Sequence, residues 1–120
     1  MKLKKGFLGM WIMIAGPYTT GANSESERQA NLDAMNEAAL KVFEKGHVPI
    51  IGVNMALPII RVAGHERFEE IMMPVSLAAA ERCDACLRIG GPSVGADQEM
   101  KKFRSRGLDV FQNVSDIPEA

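Results

Sequence analysis

The chain has 120 residues, the size of one average domain, so we expect a single domain over residues 1–120 and no second domain to close over a ligand. Its 14 Lys and Arg residues nearly balance its 15 Asp and Glu residues, and the formal net charge is -1. Nucleic-acid polymers and anionic membranes both attract a positive surface, so this balance argues against either as a partner. An anionic ligand has to be bound by local groups.

The N-terminus combines Lys2, Lys4 and Lys5 with an apolar run over residues 7–15, an order also found in secretory signals. No small-x-small cleavage site follows at a suitable place, and the run is about half of the roughly 20 residues that a membrane span needs. We interpret the run as a buried first strand and expect an unprocessed, cytoplasmic protein.

Strand-like and helix-like segments alternate along the chain. An unbroken apolar run predicts a strand over residues 11–15, and further strands are predicted over residues 48–53, 85–89 and 108–111. Helices are predicted from Pro74 to about Arg82 and over residues 96–106, up to Gly107. A first helix, ending at Gly46, is predicted from an apolar stripe at three- and four-residue spacing: Leu32, Met35, Ala39, Val42 and Phe43. This alternation predicts an α/β fold of three layers with a doubly wound parallel sheet of four to five strands.

The two cysteines, Cys83 and Cys86, form a lone Cys-x-x-Cys, and His47 and His65 stand apart from them and from each other. A structural zinc site needs four ligands at suitable spacing, so we expect no metal. A redox motif belongs at a helix N-terminus just after a strand, whereas this one lies where a helix leads into a strand. We therefore interpret both cysteines as reduced structural residues.

Two loops rich in Gly and hydroxyl residues follow the first and third predicted strands, at residues 16–21 and 90–95. In an open parallel sheet the ligand crevice lies beyond the carboxyl ends of the strands, so we expect a ligand between these loops. The second loop leads into a helix N-terminus, which favours an anion such as phosphate. Neither loop matches a dinucleotide or triphosphate signature, and a purely structural turn is the alternative interpretation.

Glu99 follows Gly95 by four residues and is expected in the first turn of the last helix, close to the crevice. A carboxylate facing a sugar ring can attack the anomeric carbon and hold a covalent glycosyl intermediate. The alternative is that an acidic residue is here because acidic residues favour helix N-termini.

These residues resemble a known family. Ile14-Ala15-Gly16-Pro17-Tyr18, Arg82-Cys83-Asp84-Ala85 and the stretch from Gly91-Pro92-Ser93-Val94-Gly95 to Glu99 are similar to the nucleoside 2-deoxyribosyltransferase-like superfamily, most closely to its small bacterial branch. The resemblance spans nearly the whole chain. It implies a flavodoxin-like, Rossmann-like fold, cleavage of an N-glycosidic bond without metal or organic cofactor, and Glu99 as the nucleophile.

Ser93 matches the position where the family's nucleoside transferases carry Asp for the sugar 5′-hydroxyl and its nucleotide hydrolases carry Ser for the 5′-phosphate. Since an Asp carboxylate would repel a phosphate and a hydroxyl can donate to it, Ser93 favours a nucleoside 5′-monophosphate. The other predicted substrate-binding residues come from the two loops and the third strand: Gly16, Pro17, Thr19, Arg88, Gly91 and Gly95.

The chain departs from the family at three positions. Met13 stands where the family often has a Tyr, and Tyr18 is a candidate substitute for that phenol. Ser76 stands where the family has an Asp credited with protonating the leaving base, and a hydroxyl is a poor general acid. Asp97 replaces a Gly, so it either adds negative charge near the phosphate or offers an alternative acid. Arg88 either offsets a phosphate charge or lies at a sheet edge with its head in water.

The first hypothesis is therefore hydrolysis of a (deoxy)nucleoside 5′-monophosphate. The alternatives are base exchange, as in a nucleoside 2-deoxyribosyltransferase, and a non-catalytic nucleotide-binding or sensing module. One small sheet has little material to roof such a pocket, and in the resembling family a neighbouring subunit helps to complete the site. The weakly patterned residues 54–73 are expected to be mobile or to face a partner, and we expect a homodimer or higher oligomer.

Overall fold

Residues 9–120 contain four strands, β1 (Trp11–Ala15), β2 (Val48–Ile50), β3 (Ala85–Arg88) and β4 (Val110–Phe111). They form one parallel sheet in the order β2-β1-β3-β4. The helices are α1 (Glu25–Glu44), α2 (Gly52–Ala63), α3 (Phe68–Ala80) and α4 (Val94–Ser105). The computed structural model describes residues 9–120, so the predicted basic stretch at Lys2, Lys4 and Lys5 lies outside the described residues. The three-layer, flavodoxin-like α/β fold is confirmed, with four strands.

The central strand β1 serves both faces of the sheet. Ile12 and Ile14 pack with helix α1 on one side, whereas Met13 and Ala15 pack with Phe103 and other residues of α3 and α4 on the opposite side. Successive side chains of a strand point to opposite faces, so a strand covered on both faces needs an unbroken apolar run. This is the pattern that predicted β1 with its observed bounds.

Helix α1 begins after Ser24, whose side chain accepts a hydrogen bond from the Glu27 N–H at 3.1 Å. Its buried stripe is Leu32, Met35, Ala38 and Val42. The prediction that Phe43 belongs to this stripe was wrong, because Phe43 is 49% exposed. Adjacent helical residues point about 100° apart, so Val42 occupies the centre of the stripe and Phe43 lies at its edge.

The second strand is shorter than predicted, because the chain leaves the sheet at Ile51 and α2 begins at Gly52. Gly52 packs directly on Ser76 of α3, and a side chain there would collide with the Ser76 hydroxyl. The close approach of two helix backbones therefore decides where the strand ends. The apolar residue Val53, predicted as strand, packs within the helical layers instead.

Residues 54–73, expected to be mobile or to face a partner, form most of a helical hairpin of α2 and α3. Helix α2 packs on α3 through a small core of Ala56, Ile60, Ile71 and Met72. Pro74 lies inside α3 rather than in its first turn, so the prediction of a helix start there was also wrong. An interior proline removes one helical hydrogen bond, and the packing between α2 and α3 offsets that loss.

His47, isolated in the sequence, has a structural role. Its ring is buried, Nδ1 accepts a hydrogen bond from the Met10 N–H at 3.0 Å, and Nε2 lies 2.6 Å from the Pro118 carbonyl oxygen. The ring thereby joins the chain before β1 to the C-terminal residues, whose Ile117 is buried in the core. Among residues 9–120, no helix combines the length and apolar character needed to cross a membrane.

Candidate active site

The predicted crevice lies where the winding of the sheet reverses. Strand β1 has β2 on one side and β3 on the other, and the chain leaves β1 and β3 toward opposite faces. The two loops are packed against each other, because a Cβ on Gly90 would lie 2.7 Å from Cδ of Pro17. Gly90 also has a φ of 74°, a conformation that glycine adopts most easily. This junction is the place where ligands bind in doubly wound sheets.

A cavity of about 510 Å³ opens between these two loops and the helices α3 and α4. The predicted site residues that line it are Gly16, Tyr18, Thr19, Ser93, Gly95 and Glu99. Four other predicted residues, Pro17, Arg88, Gly91 and Asp97, are outside its lining. Residues that the sequence interpretation did not single out also line it: Thr20, Phe68, Glu69, Met72, Met73, Val94, Ala96 and Gln98.

Ser93 caps helix α4. Its Oγ accepts a hydrogen bond from the Ala96 N–H at 3.1 Å and is buried. The hydroxyl keeps its own proton for donation, and the N–H groups of Val94 and Gly95 have no partner among residues 9–120. Three donors and the helix dipole thus face the cavity at one helix N-terminus, an arrangement that suits an anionic group.

Glu99 lies in the second turn of α4, one turn later than predicted. Side chains of an α-helix tilt toward its N-terminus, and this tilt explains how a second-turn carboxyl still reaches the cavity. The residue is 8% exposed. Its carboxyl makes no hydrogen bond or ion pair with any other residue of the described range 9–120.

Burial raises the pKa of Glu99 to about 8, and the nearby charge of Arg88 opposes that rise. Desolvation penalises the ionised carboxylate more than the neutral acid. In the absence of a ligand, about one molecule in ten therefore carries an ionised Glu99 at pH 7. A buried, unpaired carboxyl that lines a cavity is typical of functional sites.

Arg88 is engaged by the protein itself. Its guanidinium donates to Asp97 Oδ1 at 3.2 Å, to the Gly91 carbonyl at 2.9 Å, and to the Ile89 carbonyl. Its side chain is 10% exposed, and β3 is an interior strand, so the alternative of an edge position is wrong. Arg88 organises the loop after β3 and holds Asp97, which is 48% exposed, outside the cavity.

Tyr18, in the loop after β1, and Ser76, in α3, both line the cavity. Tyr18 lines the cavity, and its backbone carbonyl accepts a hydrogen bond from Asn31 Nδ2 at 2.9 Å, which anchors the loop on α1. Ser76 is buried in the middle of α3, lines the same cavity, and has as its nearest partner Met72 Sδ at 4.0 Å. Met13 lies wholly in the core.

Helix α3 forms one wall of the cavity, which the sequence analysis did not predict. Glu69, Met72, Met73 and Ser76 follow one another at spacings of three, one and three residues, which places them on one helical face toward the cavity. This spacing is visible in the sequence. It was not recognised because α3 also carries apolar residues on its other faces, where they pack on α2.

A second cavity of about 660 Å³ adjoins the first. The two share Tyr18, Thr19, Phe68 and Glu69 as a common wall. The second cavity carries charges of both signs, from Glu25, Arg28, Arg61 and Glu66. A ligand in the first cavity therefore has room to extend past Tyr18.

Cys83 and Cys86 belong to the core rather than to a site. Both are buried as free thiols, and burial raises their pKa to about 11 and about 12. Neither is thus a thiolate at neutral pH. Within residues 9–120 no three His, Cys, Asp or Glu side chains are grouped so that they could hold a metal ion.

No family model matches the chain, and no curated protein matches it. The likeness to the nucleoside 2-deoxyribosyltransferase-like superfamily stays a prediction that rests on residues 14–18 and 82–99.

Proposed function

We propose that this protein hydrolyses the N-glycosidic bond of a (deoxy)nucleoside 5′-monophosphate and is a member of the superfamily that its sequence resembles. The observation that supports this most directly is that Glu99 and the capped N-terminus of α4 line the same cavity. A nucleophile candidate and an anion site are thereby carried by one helix, six residues apart.

The phosphate would be held at the start of α4. Its donors are the Ser93 hydroxyl and the N–H groups of Val94 and Gly95. Asp97, the acidic residue in the first turn of α4, is paired with Arg88 and does not face this position. Six residues span about 9 Å along a helix, and the backward tilt of Glu99 shortens the distance to its carboxyl. A sugar attached to that phosphate is then directed toward Glu99.

In the first step an oxygen of ionised Glu99 bonds to the anomeric carbon, and the bond from that carbon to the base nitrogen breaks, its electron pair leaving with the base. In the second step water attacks the same carbon, and the carboxylate is released. The sugar becomes positively charged in the transition state, which stabilises an ionised Glu99 more than the empty, buried cavity does. Burial of Glu99 thus favours its neutral form in the empty cavity.

The test is a panel of deoxynucleoside and ribonucleoside 5′-monophosphates with the matching nucleosides, followed by chromatography for free base. We expect release from at least one monophosphate and loss of at least about 10³-fold in Glu99→Gln, since this substitution removes the nucleophile. Asp97→Asn, which removes an acid of the same helix outside the cavity, is the matched control for the loss of a carboxylate. No release from any compound, or equal release by Glu99→Gln, would refute the proposal.

A nucleotide-binding or sensing role is the second candidate. It is favoured by the largely neutral Glu99 and by the pairing of Asp97 with Arg88, which removes one candidate acid. Such a protein would be stabilised by a monophosphate without releasing base, by about 2.7 kcal/mol at a hundred times the dissociation constant. Base exchange is distinguished by adding a second free base and looking for a new nucleoside.

We also propose that the protein forms a homodimer or higher oligomer in the cytoplasm. Met55, Ile59 and Val62 form an exposed apolar stripe on α2, with Val62 91% exposed. An exposed apolar stripe suits a contact with a second copy. Light scattering of the wild type and of Ile59→Glu tests this, and a wild type that is monomeric at all concentrations would contradict it.

Free, buried cysteines are in keeping with a reducing compartment.

A further inference from the structure

Glu69 is the second carboxylate of the cavity that contains Glu99. Within residues 9–120, the titratable side chains that line this cavity are Tyr18, Glu69 and Glu99. Glu69 comes from α3 and Glu99 from α4, so the two acids approach the cavity from different helices.

The two helices are packed directly against each other beside the cavity. A Cβ on Gly95 of α4 would lie 3.3 Å from Sδ of Met73 on α3. Glu69 precedes Met73 by four residues and lies one turn nearer the start of α3, on the same face. Glu69 is exposed whereas Glu99 is buried, so Glu69 lies nearer the opening of the cavity and Glu99 deeper inside it.

Glu69 is free to act on a ligand. It is exposed and forms no hydrogen bond or ion pair with another residue of the described part of the chain. The next residue, Glu70, is by contrast held by two hydrogen bonds from Arg67, at 2.9 and 2.8 Å. Glu69 also lines the adjoining cavity, so it lies beside any group that extends from the first cavity past Tyr18.

We propose that Glu69 is the acid–base residue of the hydrolysis proposed above, on which this inference rests. When the bond to the base breaks, protonated Glu69 gives its proton to the base nitrogen that takes the electron pair. When water then attacks the anomeric carbon, ionised Glu69 takes a proton from that water, and Glu99 leaves as a carboxylate. The proton returns to Glu69 and the cycle closes without another reactant.

The other candidate acids are less well placed. Asp97 is paired with Arg88 outside the cavity, and the Ser76 hydroxyl is a weak acid. Glu69 thus supplies the proton transfer that Ser76 does not.

The experiment compares the wild type with Glu69→Gln and Glu70→Gln, its exposed neighbour on the same helix turn. We expect Glu69→Gln to lower base release about 10²-fold or more and Glu70→Gln to stay within about twofold. A 7-methylated deoxyguanosine 5′-monophosphate releases its base without protonation, and azide attacks the glycosyl intermediate without a base. With both present, Glu69→Gln should regain most of the wild-type rate and form a glycosyl azide.

The possible results distinguish a failure of the Glu69 assignment from a failure of the proposed hydrolysis. If the wild type releases no base, the proposed function fails. If the wild type is active but Glu69→Gln equals Glu70→Gln, or stays slow with the methylated substrate and azide, Glu69 is not the acid–base residue while the hydrolysis stands. The sugar-phosphate mass attached to Glu99 in Glu69→Gln, without azide, would support both.

Discussion

Arg88 and Asp97 form an ion pair of 3.2 Å that holds the acidic side chain in the first turn of α4 away from the cavity lined by Glu99. Arg88 also donates to two carbonyl groups of the loop after β3. One guanidinium thereby shapes the loop, places Asp97 outside the site and contributes positive charge near Glu99. The ion pair therefore keeps the Asp97 carboxylate away from a ligand in the cavity.

We expect Arg88→Met to raise the pKa of Glu99 above 8, because the charge of Arg88 opposes the effect of burial. The rising limb of base release against pH, which reports ionisation of Glu99, should move to higher pH. Asp97→Asn should change base release by less than about threefold, since Asp97 does not line the cavity. An unmoved limb in Arg88→Met, with loop and fold intact by NMR, would contradict the assigned interaction.

Glu99→Gln should stabilise the fold at alkaline pH. The folded pKa of Glu99, about 8, lies above the unfolded value of 4.5, so the folded state holds a proton that the unfolded state loses. Wild-type stability is therefore fully present below pH 4.5 and declines as the pH rises toward 8, by an amount on the order of 4 kcal/mol. Because the Gln side chain does not ionise, the variant does not lose stability in this way as the pH rises.

Urea unfolding at pH 5 and pH 8 measures this difference. The advantage of Glu99→Gln over the wild type should be small at pH 5 and larger at pH 8. Glu44→Gln, at an exposed position on α1, serves as the control and should show the same difference from the wild type at both values. An advantage of Glu99→Gln that does not grow with pH would show that the carboxyl is not desolvated.

Two substitutions of Ser93 separate helix capping from phosphate binding. Asp is as good an N-cap as Ser, so Ser93→Asp should keep the stability of α4 but weaken binding of a monophosphate at least about tenfold by repulsion. Ser93→Ala should cost about 1 kcal/mol of stability through loss of the bond to the Ala96 N–H. Calorimetry with inorganic phosphate, together with thermal unfolding, reports both effects. Equal phosphate binding by Ser93→Asp and the wild type would place the phosphate elsewhere.

Gly90 and Gly91 offer a matched pair for the junction of the two loops. Gly90→Ala should cost about 2 kcal/mol or more, because Gly90 has a φ of 74° and a Cβ there would collide with Pro17. Gly91→Ala should be nearly neutral, since a Cβ at Gly91 has nothing within 4 Å. Thermal unfolding measures the stability difference, and base release should fall only in Gly90→Ala. Two variants of equal stability would show that the loops are not held together at this point.

Local signals in the sequence determined β1, the α/β fold class and the two loops. An unbroken apolar run such as residues 11–15 suits a strand that is buried on both faces. These features depend on neighbours within a few residues along the chain. The placement of Glu99 near the crevice followed from the same local order, with an error of one helical turn.

Only the tertiary structure decided the features that depend on residues far apart in the chain. The contact of Gly52 with Ser76 ends β2 early, and the packing of α2 on α3 orders residues 54–73 and turns Glu69 toward the cavity. Burial of the Glu99 carboxyl and capture of Asp97 by Arg88 likewise arise from packing between elements. Sequence spacing sets which residues share a face, but the energy of burying a charge depends on what covers that face.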